Sequence, residues 1–212
     1  MSNNSRLPSL VAAWLSARSV CRGLPLPVAD RGGLRVDTAL PAEARRWVFT
    51  SPGDGLREIG REVTLPRHPI KLSGPADELM AALPAGWQLQ PQGHFMIWRN
   101  EVQPRRALPI GYHLETERDG AIIAVRVLAP DGSPAANGHG AEAAGVFIYD
   151  RIETAPEHQR KGLGNVVMNA LKARRTDTAL PQLLVATEEG RALYETLGWK
   201  VLSPFSTAAI PG

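Results

Sequence analysis

The sequence predicts a mixed α/β fold, and three observations support this prediction. Residues 111–154 read as four short strands joined by tight turns, which is typical of an antiparallel meander. An amphipathic helical pattern then covers residues 163–175, and a continuous apolar run from Gln182 indicates a buried strand. The first half of the chain alternates strand-like and helix-like segments. With 212 residues, the chain has room for one large or two small domains.

The N-terminal half contains short elements and no chemical motif that we can name. A helix is expected from Pro8 to Val20, because apolar residues recur on one face and Gly23 follows its end. The further expected elements are a strand at 33–38, helices at 41–49 and 54–63, a strand at 69–73, a helix at 75–83 and a strand ending at Trp98. Residues 101–109 are proline-broken and charged, which indicates a linker. This divides the chain into an N-terminal α/β region, 1–105, and a C-terminal core, 106–212, with no evident internal repeat.

The C-terminal core begins with the meander. Its strands are expected at 111–120, 121–129, 134–140 and 145–154, with tight turns at Arg118-Asp119-Gly120 and at 130–133. The helix from Leu163 and the strand from Gln182 follow. A short helix is then expected from Gly190 to Leu197, and two terminal strands at 199–202 and 205–210. The core thus combines an antiparallel meander with helices and a buried strand.

Composition and charge exclude several function classes. Cys21 is the only cysteine, so an internal disulfide is impossible. The net charge of +3 is mild, the basic residues are scattered, and no zinc-ligand spacing occurs, which argues against nucleic acid as a partner. The apolar run at residues 10–15 is too short to span a bilayer, and it lacks the cleavage site of a signal peptide. We therefore expect a soluble cytoplasmic protein with no membrane partner.

A basic, glycine-broken segment joins the last meander strand to the following helix. It reads His158-Gln159-Arg160-Lys161-Gly162-Leu163-Gly164. Such a turn is typical of phosphate binding, because the first amides of a helix lack internal partners and glycine lets the backbone approach a ligand closely. A Walker loop would need Lys-Ser/Thr after its glycines, and a dinucleotide fingerprint would need a third glycine where Val167 stands. Both alternatives fail, while a plain helix start stays open.

The same segment resembles the Arg/Gln-x-x-Gly-x-Gly/Ala loop of the GNAT superfamily of acyl-CoA N-acyltransferases. A second resemblance lies downstream in ALYETLGW, residues 192–199, which is similar to the family pattern Ala-x-x-Tyr-x-x-x-Gly-Phe/Trp. The segment that starts at Asp150 (Asp-Arg-Ile-x-Thr-x-Pro) also resembles a bacterial subgroup of this superfamily. The resemblance covers roughly residues 111–212. It implies a twisted, mostly antiparallel sheet flanked by helices, to which residues 1–105 add a further α/β region.

The resemblance also implies a binding site for acetyl-CoA as co-substrate, without a metal. The pyrophosphate would rest on main-chain amides of the loop that Gln159 opens, namely those of Arg160, Lys161, Gly162, Leu163, Gly164 and Asn165. The side chains of Arg160 and Lys161 either attract the phosphates or are ordinary surface charges. Pantetheine would run beside the preceding strand, with main-chain contacts at Ile152, Glu153 and Thr154. Amides of this strand could polarise the thioester carbonyl.

Two catalytic residues are implied. Tyr194 stands where many relatives carry a tyrosine that protonates the leaving thiolate; otherwise it is a packed helix residue. Asp150 is the first candidate for the base that deprotonates the amine, and desolvation between Ile148 and Ile152 would raise its pKa. The alternative is a structural ion pair between Asp150 and an arginine. Glu153 and a water relay are the next candidates for the base, and a strand bulge would break the alternation after Asp150.

Some features depart from the family pattern. Thr187 replaces a common asparagine and Gly190 the usual alanine, so Thr187 receives no cofactor role. The family normally has two helices that shape the acceptor site between its first and second strands, where this chain has a tight turn. Either those helices are absent, or the first strand and helix lie upstream at 33–38 and 41–49. In the second case, residues 30–100 are a divergent half of the same architecture that contributes to the acceptor cleft. The acceptor would be a small-molecule or peptide amine, and the chain a monomer or homodimer. Rival functions are an inactive acyl-CoA sensor and, more weakly, a nucleic-acid binder.

Overall fold

The computed structural model describes residues 6–99 and 106–212, so most of the predicted linker lies outside the described residues. The helices are α1 (Leu7–Cys21), α2 (Asp54–Glu62), α3 (Ala76–Ala82), α4 (Leu163–Ala173) and α5 (Glu188–Thr196). The strands are β1 (Val28–Asp30), β2 (Gly33–Asp37), β3 (Arg45–Phe49), β4 (Ile70–Leu72), β5 (Gln88–Leu89), β6 (Gly93–Trp98), β7 (His113–Asp119), β8 (Ile122–Leu128), β9 (Pro134–Ala143), β10 (Val146–Thr154), β11 (Gln182–Thr187) and β12 (Trp199–Ala209). Within the described ranges, no helix is long and apolar enough to cross a membrane.

All of these strands belong to one twelve-stranded sheet. Its order is β1-β2-β3-β4-β12-β6-β11-β10-β9-β8-β7, and β5 pairs with β12 outside this path. Only β3–β4 and β10–β11 are parallel pairs among the described strands. The predicted fold, a mostly antiparallel sheet flanked by helices in a mixed α/β chain, is confirmed.

The sheet separates two layers of helices. One face packs Phe147 and Tyr149 of β10 against α4 and α5, and Trp47 of β3 against α2 and α3. The other face packs Ile148 of β10 and Val48 of β3 beneath α1. Because side chains alternate along a strand, these neighbours mark opposite faces of the sheet. We call them the α4/α5 face and the α1 face.

The topology repeats, although the sequence gives no sign of a repeat. In the first half, α2 connects the parallel strands β3 and β4, and α3 follows. In the second half, α4 connects the parallel strands β10 and β11, and α5 follows. The last strands of the two units are exchanged, since β6 pairs with β11 and β12 pairs with β4. Strands from residues 1–105 therefore lie on both sides of β12.

Two sequence-based predictions are wrong. The helix expected at 41–49 is strand β3, whose last four residues are buried. An apolar and aromatic run of this kind fits a strand that pairs on both edges, and β3 pairs with β2 and β4. The two terminal strands are one strand, β12, which a register shift between Val201 and Ser203 bends near Pro204. The short strands β1 and β5 had no signal that we recognised.

Candidate functional site

Strands β10 and β11 diverge and open a cleft. They pair at Phe147–Gln182 and Ile148–Leu183 and nowhere further along the described strands. The cleft has a volume of about 480 Å³, and residues from both halves of the chain line it. It reaches both faces of the sheet, because Tyr194 of α5 and side chains of α1 both line it. Two parallel strands that separate in this way leave main-chain groups without strand partners along the opening.

A bulge in β10 lies at this opening. The pairing with β9 shifts between Asp150 and Glu153, and Arg151 has a φ of 51°. Such a φ is uncommon for a residue other than glycine and often marks a functional position. The bulge anticipated in the sequence is therefore present. Asp150, Ile152 and Glu153 line the cleft, and Thr154 continues β10 beyond the cleft lining.

Asp150 is held by arginines on the α1 face. Arg22 donates two hydrogen bonds to its carboxylate, at 2.5 and 2.8 Å, and Arg18 and Arg151 approach it to 3.5 and 3.6 Å. Burial alone would raise the pKa of Asp150, but the hydrogen bonds from Arg22 and the three positive charges outweigh burial and hold this pKa below its usual value. The raised pKa expected for Asp150 is therefore wrong. A carboxylate in this setting is a weak base.

Tyr194 lies on the opposite side of the cleft and is 8% exposed. Burial raises the pKa of its phenol to about 12, so the hydroxyl keeps its proton at neutral pH. Its ring packs edge-on against Trp199, with ring centroids 6.1 Å apart. This packing restrains the Tyr194 ring at the wall of the cleft.

Thr187 and Gly190, the two residues that depart from the family pattern, are in contact in the structure. The Thr187 hydroxyl caps α5 by accepting a hydrogen bond from the Gly190 amide at 3.1 Å. A Cβ on Gly190 would lie 3.3 Å from both Thr187 Oγ1 and Tyr194 Cε2. The threonine cap and the tyrosine ring thus leave little room for the usual alanine. Thr187 therefore has a structural role as the N-cap of α5.

The basic loop follows β10 directly, through a short 3₁₀ turn at Pro156–His158. Arg160 has a φ of 63° and Gly162 a φ of 81°, and Gly162 is the N-cap of α4. Within the described chain, the amides of residues 160–164 donate to no protein acceptor. Unpaired amides at the start of a helix form a site for an anion. The loop lies beyond the cleft lining rather than within it.

The side chains of the basic loop differ in exposure and in the hydrogen bonds that they make. Gln159 and Arg160 are exposed. Lys161 donates to the Tyr112 hydroxyl at 3.1 Å, and that hydroxyl lies 2.9 Å from His158 Nδ1. Asn165 is buried, and its side-chain oxygen accepts from the Arg106 amide. Among the described residues, the Arg160 side chain makes no hydrogen bond or ion pair, so its charge is available to a phosphate at this loop.

The first half of the chain has an equivalent loop that is not suited to phosphate. Gly53 is the N-cap of α2, as Gly162 is of α4. Asp54 opens that helix with a negative charge, which disfavours an anion. A Cβ on Gly55 would lie 1.7 Å from the Arg31 carbonyl oxygen, so this turn packs tightly against the backbone at Arg31. The negative charge of Asp54 and the close packing at Gly55 therefore favour the second loop as the place for an anion.

An arginine partner for Asp150 was one of the alternatives that the sequence left open, but the sequence did not identify four cationic side chains of the same cleft. They line the cleft and come from α1, its C-terminal end, β3 and β4: Arg18, Arg22, Arg46 and Lys71. The sequence could have indicated Lys71 as a functional candidate, since a lysine at the centre of a short apolar strand is unusual. Arg46 stood in the segment mistaken for a helix. The two arginines at α1 look in the sequence like ordinary helix-surface charges.

Comparison with known proteins supports the architecture. No protein-family model matches the chain, and no curated protein matches it in sequence. Among solved structures, a GCN5-related N-acetyltransferase from Kribbella flavida superposes with a TM-score of 0.67 at 14% identity, covering 97% of this chain and 96% of that one. A GCN5-related N-acetyltransferase-like protein from Streptococcus suis gives 0.61 at 10% identity and 98% coverage of both chains. A tandem GNAT protein from the clavulanic acid biosynthesis pathway gives 0.54 at 14% identity, covering 100% of this chain and 98% of that one. The chain therefore has the fold of GNAT acetyltransferases over nearly its whole length.

Proposed function

We propose that this protein is an N-acetyltransferase that transfers an acetyl group from acetyl-CoA to a primary amine in a ternary complex. The amine nitrogen attacks the thioester carbonyl carbon, a carbon–nitrogen bond forms and the carbon–sulfur bond breaks. The amine loses a proton and the CoA sulfur gains one, so that the products are the acetamide and free CoA. Amine and acetyl-CoA are both bound when this occurs.

The observation that carries the proposal is the cleft between β10 and β11. It opens to both faces of the sheet, so two substrates can approach one point from opposite sides. The unpaired amides of residues 160–164 stand at the end of β10 on one side, and α1 borders the other. This arrangement supports acetyl-CoA on the α4/α5 face and the amine on the α1 face.

The cofactor would be held mainly by main-chain groups. The pyrophosphate would accept hydrogen bonds from amides of residues 160–164, and Arg160 would add attraction. The pantetheine arm would pair with the free edge of β10 at Ile152 and Glu153, with Thr154 continuing that edge toward the loop. An amide near the Arg151 bulge would donate to the thioester oxygen as negative charge develops there.

Tyr194 would act as the general acid. Tyr194 belongs to the α4/α5 side of the cleft, where the leaving sulfur would be, and its raised pKa would keep the proton on the phenol until the thiolate forms. Positioned proton transfer of this kind accelerates reactions by roughly a hundredfold to ten-thousandfold.

Water in the open cleft would accept the amine proton. Asp150 is unsuited to this, because three arginines occupy its carboxylate and lower its pKa. Glu153 also lines the cleft and makes no ion pair within the described chain, so it would be the final proton acceptor. In this mechanism Asp150 is a positioning residue that fixes Arg18 and Arg22.

The test has two stages. Acetyl-CoA should first raise the melting temperature, and CoA thiol should then be released only when an amine is present, with the acetylated amine identified by mass spectrometry. Release that is equally fast without any amine would contradict transfer. Stabilisation by acetyl-CoA without amine-dependent release across a broad amine panel would favour an acyl-CoA-binding module instead.

A further inference from the structure

The α1 face of the cleft carries a group of cations that the proposed chemistry does not use. Val48 belongs to the core beneath α1, and Arg46 shares its parity along β3. Ile70 and Leu72 pack with α2 and α3, so Lys71 between them points to the opposite face. Both side chains therefore lie on the side of the sheet that α1 covers. We call Arg18, Arg46 and Lys71 the cationic subsite.

Positive charge exceeds negative charge here. Five cationic residues line the cleft, whereas the carboxylates that line it or pair with its lining are those of Asp150, Glu153 and Glu43. Asp150 is saturated by arginines, and Glu43 forms an ion pair with Arg46 at 2.5 Å. Lys71 is left with a hydrogen bond to the neutral hydroxyl of Thr207, at 3.3 Å.

The excess of positive charge in the cleft destabilises the unliganded protein. Burial, and then the neighbouring charges of Arg18 and Arg22, lower the pKa of Lys71 to about 8 in spite of Glu43. Burial and the charge of Arg22 also lower the pKa of Arg18. The Nε of Arg46 is buried and, although it lies close to the Glu43 carboxylate, it has no partner with hydrogen-bond geometry among the described residues. Arg46 is buried, and Arg18 and Lys71 are partly buried. Cations in such a setting are normally matched by anions, and a bound anion would give Lys71 a charged partner.

We propose that the cationic subsite binds an anionic group, a carboxylate above all, carried by the amine that is acetylated. This inference rests on the proposed function and names the substrate class of the same cleft. The acceptor side is favoured because Arg18, Arg46 and Lys71 all lie on the α1 face, whereas Tyr194 and the open loop amides belong to the face where acetyl-CoA would bind.

The position of Lys71 also indicates how far the anion lies from the amine. Three strands, β12, β6 and β11, separate β4 from β10. At about 4.8 Å between neighbouring strands, Lys71 is anchored well over 10 Å from the bulge in β10. Arg18, which contacts Asp150 at 3.5 Å, spans part of this distance. An acidic amine with several bonds between nitrogen and carboxylate, such as an ω-amino acid or a short acidic peptide, fits better than an α-amino acid.

The experiment compares ω-amino acids of increasing length with their carboxamides, using acetyl-CoA and measuring KM for each. We expect the acid to have a KM roughly ten- to a hundredfold lower than its amide at the best length, the usual effect of one hydrogen bond to a charged group. Lys71→Met should bring this acid-to-amide ratio close to one, while Lys200→Met, at an exposed lysine outside the cleft, should preserve it. Equal KM values for acid and amide, or an unchanged ratio in Lys71→Met, would overturn the inference.

Two further arms separate the possible failures. Succinyl-CoA offered with a neutral amine tests whether the carboxylate belongs to the acyl donor; a preference for succinyl-CoA over acetyl-CoA that Lys71→Met removes would overturn the acceptor assignment. Calorimetric titration of the best ω-amino acid, with CoA present, tests the subsite without turnover. Binding that Lys71→Met abolishes would support the subsite even if no acetyl transfer occurs, which would defeat the proposed function alone, and absence of binding would overturn the subsite.

Discussion

Replacing Asp150 by asparagine separates a structural ion pair from a catalytic base. The substituted amide would keep the shape of the side chain but remove the negative charge that Arg22 contacts at 2.5 and 2.8 Å. Arg18 and Arg151, at 3.5 and 3.6 Å, would lose the same partner. The variant therefore removes the carboxylate that these arginines share, and the charge of Glu43 is left to attract Arg18 and Arg22.

The magnitude follows from burial. Removing one partner of a fully buried ion pair costs about 3–5 kcal/mol. The Asp150 side chain is 10% exposed and those of Arg18 and Arg22 are 18% and 25% exposed, so water screens part of the interaction. We expect Asp150→Asn to lower the free energy of unfolding by roughly 2–3 kcal/mol, a loss of about 4–12 °C in Tm for a chain of this size.

The dependence on pH gives a second signature. Because the pKa of Asp150 is lowered in the folded protein, its contribution to stability is complete above about pH 4 and is lost as pH falls through the folded-state pKa. Urea unfolding of wild type and Asp150→Asn should therefore differ at pH 7 and converge in acid. A double-mutant cycle with Arg22→Met should show a coupling energy of about 1–3 kcal/mol. An Asp150→Asn variant as stable as wild type, with turnover strongly reduced but measurable and the acidic limb of its pH–rate profile gone, would refute this reasoning and restore Asp150 as the base.

Three further variants probe the cleft and the loop. Gly162→Val places a β-branched residue at a φ of 81° and should weaken acetyl-CoA binding at least tenfold, as measured by calorimetry. The control Gly145→Val, at a φ of 74° in open space outside the loop, should leave acetyl-CoA affinity unchanged. Equal affinities of the two variants would contradict the loop assignment. Tyr194→Phe should lower kcat by roughly a hundredfold or more with unchanged acetyl-CoA affinity. The pH profile of wild-type kcat should show no loss of activity from this phenol below about pH 11, because its pKa is about 12. A kcat of Tyr194→Phe equal to that of wild type would remove the acid role. Lys71→Met should raise the free energy of unfolding at pH 7 by about 1–3 kcal/mol. This gain should decrease as pH rises from about 8 to 10.5, because Lys71 of the folded wild type loses its proton in this range before the unfolded chain does. A variant that is less stable than wild type at pH 7 would contradict the cost of holding this charge in the fold.

Local patterns predicted most of the second half of the chain. The turns of the meander, the amphipathic face of α4 and the continuous apolar run of β11 are set by neighbouring residues, and each forms as expected. The bulge beside Asp150 could be anticipated by resemblance. Its consequence could not, because the pKa of Asp150 depends on arginines about 130 residues away in sequence.

Pairing between strands that are distant in sequence could not be predicted from local sequence patterns. Trp47, Val48 and Phe49 are apolar on both faces, and such a run looks helical until its pairing with β2 and β4 is known. The exchange of β6 and β12 between the two units brings Lys71 to the same cleft as Asp150, and no short pattern encodes that contact. The division at residue 105 stays a prediction.

The most direct test of the account is a crystal structure with CoA bound. The account predicts the pyrophosphate within about 3.2 Å of amide nitrogens in residues 160–164, pantetheine along the edge of β10, and the sulfur facing the Tyr194 hydroxyl. The topological repeat offers a clear contrary result. CoA seated at Gly53–Gly55, the equivalent loop of the first half, or lying on the α1 face among Arg18, Arg46 and Lys71, would contradict the account.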